Sequence, residues 1–98
     1  MKKWLAVLLL ALPGVAIAQN HEICSLESQQ AEVIMDLRQS DVPMRDLVGM
    51  MKAQGMYDKI TEVMVRVAYE RPAARTDKYK QRQKVEFGNA FYQDCINR

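Results

Sequence analysis

The sequence predicts a small all-α fold, an antiparallel bundle of about four helices closed by one disulfide. Three observations predict it. Apolar residues recur at three- and four-residue spacing along the body of the chain, with no alternating run to compete as a strand. Pro43, Gly55 and Pro72 divide that pattern into helix-length pieces. The two cysteines of the 98-residue chain, Cys24 and Cys95, stand close to the two extremities of its body.

The body is expected to start after a leader. Met1-Lys2-Lys3 is a basic start, Trp4 to Leu12 is an unbroken apolar run, and Ala16-Ile17-Ala18 is a small-residue cleavage site. Residues 1–18 therefore read as a signal peptide cut near Ala18, and residues 19–98 as one helical periplasmic domain. The apolar run is too short to cross about 30 Å of hydrocarbon, so no membrane span is expected in the processed form.

The first helix is expected over Glu22 to Gln39, with Ile23, Leu26, Val33, Ile34 and Leu37 as its apolar stripe. Ser40-Asp41-Val42-Pro43 ends it and opens the next, since aspartate caps exposed N–H groups and proline fits a first turn. The second helix runs to about Gln54, with Met44, Leu47, Val48 and Met51 at core spacing and Gly55 in left-handed geometry after it. Gly49 inside this helix points to a close helix crossing or a weak point.

Tyr57 to Arg71 carries the cleanest pattern, with Ile60, Val63, Met64, Val67 and Ala68 on one face, and Pro72 stops it. Thr76 and Asp77 start a fourth helix in which Val85, Gly88, Phe91, Tyr92 and Cys95 recur. Four antiparallel helices bring the last back beside the first, where the cysteines are. Three helices would leave Cys24 and Cys95 at opposite ends, beyond the roughly 7 Å that a bridge allows between Cα atoms.

Export into an oxidising space and a pair of cysteines with no Cys-x-x-Cys predict a structural Cys24–Cys95 bond. Without the two leader lysines, Lys+Arg falls to 12 and equals Asp+Glu. A general affinity for nucleic acid is thus not expected. Charge is uneven along the chain, acidic to about residue 65 and basic after it. The run Arg71, Arg75, Lys78, Lys80, Arg82 and Lys84 is the candidate surface for an anionic partner. Its plain alternative is a solvated face paired with the acidic first helix.

No catalytic, cofactor or metal set is expected. His21 is the only histidine and stands near the processed N-terminus, carboxylates are spread singly, and no serine sits in a Gly-x-Ser-x-Gly turn. Met44, Met50, Met51, Met56 and Met64 are close in sequence. Thioethers bind Cu(I), but core filling explains Met44, Met51 and Met64. Met50 falls off the core stripe and Met56 lies in the connection, so these two are the candidate apolar contact surface.

The chain resembles a family of small secreted proteins of enterobacteria, their phages and prophages. The matching pieces are Cys24; Ile34-Met35 leading to Arg38-Gln39, Val42-Pro43-Met44 and Leu47; Ala68-Tyr69-Glu70-Arg71-Pro72; and Phe87, Asn89, Tyr92 and Cys95. Such proteins often have Gly where Asp41 stands here. The resemblance implies a secreted helical body with terminal cysteines, and it transfers no catalytic or binding residue. A label for DNA breakage and rejoining that some relatives bear does not fit an exported helical chain; Tyr69, Tyr79 and Tyr92 read as core-edge residues.

The expectation is a non-enzymatic periplasmic protein, monomer or weak dimer, that binds or modulates an envelope protein or cell-wall component. A phage- or prophage-derived inhibitor or exclusion factor is the leading form. An acid- or envelope-stress chaperone is the alternative.

Overall fold

The structure, a computed structural model, describes the backbone of residues 2–98 and the side chains of residues 20–98. Met1 and the side chains of the expected leader lie outside the described residues. Four helices follow in order: α1 over Lys2–Gln39, α2 over Met44–Ala53, α3 over Lys59–Glu70 and α4 over Asp77–Ile96. Among the described residues there is no strand, and no helix is long and apolar enough to cross a membrane. The first helix does not begin at Glu22: its backbone stays helical from Lys2 across the expected cleavage point.

Each boundary has a local cause. Asp58 accepts from the Thr61 N–H at 2.9 Å and caps α3; Thr76 accepts from the Tyr79 N–H at 3.2 Å and caps α4. At the end of α1 the Val42 N–H reaches back to the Leu37 carbonyl and the Asp41 N–H to that of Arg38, with Asp41 left-handed at φ 62°. At the end of α2 the Met56 N–H bonds the Met51 carbonyl and the Gly55 N–H that of Lys52, with Gly55 at φ 69°. Both are Schellman ends, in which one left-handed residue lets two N–H groups satisfy orphan carbonyls. Asp41 therefore ends α1 rather than capping α2, whose N-cap is Pro43 with no side-chain bond.

Packing centres on α1. Cys24, Ala31, Ile34 and Met35 are its buried residues together with Gln39, and they meet Leu47 and Met51, Met64, Val65 and Ala68, and Phe87 and Phe91 from the other helices. The longest seam is with α4. There Ser28 and Glu32 on α1 face Gly88 on α4, where a Cβ would lie 2.6 Å from Glu32 Cγ and 3.1 Å from Ser28 Oγ. The close crossing is thus at Gly88. Gly49 is exposed with nothing within 4 Å of where a Cβ would be, so it marks no crossing.

The Cys24–Cys95 disulfide closes the α1–α4 seam, with Cα atoms 5.5 Å apart. Glu27 and Arg98 form an ion pair beside it, and Arg98 also reaches Asp94 at 3.2 Å. Every buried side-chain polar atom among the described residues has a partner. Several expected core positions are outside the core: Ile23, Leu26, Val33, Met44 and Val85 are exposed, while Phe87, Met35 and Thr61 are buried.

Candidate functional site

Exposure of Leu26 at 67 % and Val33 at 56 % follows from helix geometry. The line Cys24–Ser28–Ala31–Met35 has the same three- and four-residue spacing as Leu26–Val33–Leu37 but lies on another side of the cylinder. The small line packs against α4, and the large one is left over. It does not face open water alone: α2 lies alongside, and between the two helices runs an apolar groove of about 500 Å³.

Leu26, Val33, Ile34 and Leu37 form one wall of the groove, Leu47, Met50 and Met51 the other. Met56 closes one end. Its place there is set by the Schellman turn, which folds the residue after Gly55 back toward the last turn of α2, next to Met51. Among the described residues the polar ones of the lining are Gln29, Gln30 and Gln54, and none is charged. Gln30 is already engaged, donating to the Thr61 hydroxyl at 2.7 Å. Met50 and Met56 are 48 % and 45 % exposed on the groove's edge, two flexible thioethers that can shape themselves to a partner.

The basic run is not one surface. Lys78 and Arg82 are exposed and one turn apart, while Lys80 and Lys84 lie about 200° round the helix from Lys78 and its partner and are half-buried. Arg71 sits over the Phe87 ring at 5.1 Å and Arg82 over the Tyr79 ring at 6.0 Å; Arg75 is exposed. Among the described residues none of the six has an ion pair, so the acidic first helix does not neutralise them.

The motif pieces around Arg38 and Tyr69 meet at one corner. Arg38 donates to the Arg71 carbonyl at 3.2 and 3.0 Å and lies 5.2 Å from the Tyr69 ring centre. The Tyr69 hydroxyl donates to the Val42 carbonyl. Buried Gln39 accepts from the Ala74 N–H at 2.7 Å and donates to the Met35 sulfur at 3.3 Å. The corner fastens both the α1–α2 and the α3–α4 connections to the end of α1, an architectural task. Burial pushes the Tyr69 phenol up from its ordinary range; Arg38 opposes this and Asp46 adds to it.

His21 has a partner across the α1–α4 seam. It lies within α1, and its Nδ1 is 2.8 Å from the Tyr92 hydroxyl, near the disulfide. Asp58 is held below the ordinary carboxylate range by hydrogen bonding from Thr61, from its hydroxyl and then its backbone N–H. Among the described residues no three His, Cys, Asp or Glu side chains come together as a metal site.

Met50 and Met56 both line the groove, beside Leu26 and Val33, which the sequence places in the core. The signal that separates them is side-chain size: Ser28, Ala31 and Gly88 permit a tight seam that Leu26 and Val33 would not. No family model, curated protein or solved structure matches this chain.

Proposed function

We propose that the chain is exported with removal of residues 1–18 and acts in the cell envelope as a non-enzymatic binding or modulating protein, in the manner of a phage- or prophage-derived inhibitor or exclusion factor. The open apolar groove between α1 and α2 carries this reading. A chain of 98 residues that leaves two leucine- and methionine-lined helix faces uncovered by its own core presents the surface expected of a protein that works by contact. The disulfide and the basic, then apolar, N-terminus support export. A wall-active enzyme is the target class, because the resemblance is to secreted phage-type proteins.

Two measurements test it. The N-terminal sequence of protein recovered from the periplasm should begin near Gln19. The processed protein, immobilised, should retain the same envelope component in repeated preparations and change the rate of wall hydrolysis in a purified-wall assay. An uncut chain, or no reproducible partner together with an unchanged rate, overturns the reading.

A second reading, an acid-stress chaperone, is favoured by two carboxylate-dependent ties: Asp58 capping α3 and Glu27 holding Arg98. Acid protonates the Asp58 cap, held below the ordinary carboxylate range by Thr61, and loosens that end of α3. A protein that keeps its neutral fold at about pH 2 to 3 and fails to suppress aggregation of a client there rules this reading out.

A further inference from the structure

We infer that the groove between α1 and α2 takes one amphipathic helical segment of a partner protein, about three turns long and basic along its flanks. This rests on the binding reading above and names the chemistry of what is bound.

Length comes first. The α1 wall runs from Leu26 to Leu37, which at 1.5 Å per residue is about 16 Å, three turns of helix. A partner helix anchored at i, i+4, i+7 and i+11 spans that distance. The openness of the site favours a helix over an acyl chain. Leu26, Val33, Met50 and Met56 are about half exposed, so a bare hydrocarbon chain laid there keeps one side in water, whereas a helix covers the groove with one face and presents a polar face outward.

Charge selects the flanks. The described lining is uncharged, but acidic residues adjoin its α1 wall: Glu22 is one turn before Leu26 and Asp36 one turn after Val33. Both are exposed and neither has an ion pair among the described residues. On α2, Asp46 is paired with Arg45 at 3.7 Å, and Lys52 sits over the Tyr57 ring at 5.5 Å. Glu27 is occupied by Arg98. Lysine or arginine beside the partner's apolar stripe meets this rim, and an acidic helix is repelled.

The test uses residues 19–98 in oxidised form, labelled at the methionine methyl groups, and three synthetic 18-residue peptides: a leucine/lysine amphipathic helix, its leucine/glutamate counterpart, and a serine/lysine peptide of equal charge. The leucine/lysine helix should shift the Met50 and Met56 methyl signals while those of buried Met35 and Met64 stay in place. The other two should bind at least tenfold more weakly. Val33→Asp, at an exposed position, should weaken the leucine/lysine helix tenfold or more; Met50→Glu gives the same readout should the first variant unfold. Equal binding of the acidic helix, or shifts confined to other methionines, overturns the inference. So do Met50 and Met56 shifts produced by phosphatidylcholine vesicles or by raising protein concentration when the peptide produces none, since the occupant is then lipid or a second copy. An envelope partner whose capture survives Val33→Asp leaves the binding reading standing and sinks this one.

Discussion

Ser28 Oγ donates a 2.8 Å hydrogen bond to the carbonyl of Gly88, across the seam where α4 has no side chain between its backbone and α1. The bond is possible because Gly88 is glycine: a Cβ there would stand 3.1 Å from the same hydroxyl and 2.6 Å from Glu32 Cγ.

The glycines should therefore separate by sign. Gly88→Ala pushes its Cβ into the Glu32 side chain and the Ser28 hydroxyl, a cost of about 1–3 kcal/mol set against the roughly 1 kcal/mol that alanine gains over glycine inside a helix, and should be destabilising on balance. Gly49→Ala, in an exposed helix interior with open space around it, should gain about 0.5–1 kcal/mol. Urea denaturation of the two variants against the parent checks both, and a stabilised Gly88→Ala contradicts the packing described.

Reduction of the Cys24–Cys95 bond, or replacement of both cysteines by serine, should remove about 4 kcal/mol, the chain-entropy value for a loop of this length. Denaturation midpoints with and without reductant measure it. For a chain this small that loss is comparable with the whole net stability.

Asp58 gives an acid-sensitive contribution. The Thr61 hydrogen bonds hold its carboxyl below the ordinary carboxylate range, so the ionised cap stabilises α3 above about pH 4 and the benefit fades as pH falls through the folded value. Asp58→Ala should cost about 1 kcal/mol at neutral pH. Asp58→Asn should keep much of the cap while removing this part of the acid dependence, read from melting curves between pH 2 and 7.

Tyr69 behaves in the opposite direction. Burial raises its phenol above the ordinary tyrosine range, so the folded state favours the neutral hydroxyl; that stability is complete below about pH 10 and is lost as pH rises through the folded value. Tyr69→Phe leaves the Val42 carbonyl without its donor and should cost about 1–2 kcal/mol at pH 7. The variant should also shed the alkaline loss due to this group, seen by melting at pH 9 to 11.

The helix count and most boundaries were legible because local chemistry sets them. Gly55 is the left-handed residue after α2, Thr76 caps α4, and Pro72 follows α3. The buried face of α1 was not legible. Two lines share its spacing, and the larger, more apolar one is the one left outside, because helix approach at Ser28, Ala31 and Gly88 depends on smallness rather than hydrophobicity. That Met50 lies off the buried stripe of α2 was readable from its spacing, and that Met56 lies in the connection from Gly55. Leu26 and Val33 beside them were not, since a stripe read from one helix does not say which neighbour covers it. Arg38, Gln39 and Tyr69 show the reverse: distinctive in sequence, they are spent on holding the connections in place.

A protease that cuts once in the Arg71–Thr76 connection leaves two fragments still covalently one molecule, because the cut lies inside the ring closed by Cys24 and Cys95. Such a nicked form keeps α1 and α4 abreast, migrates at its intact mass until thiol is added, and retains both walls of the groove on its N-terminal piece.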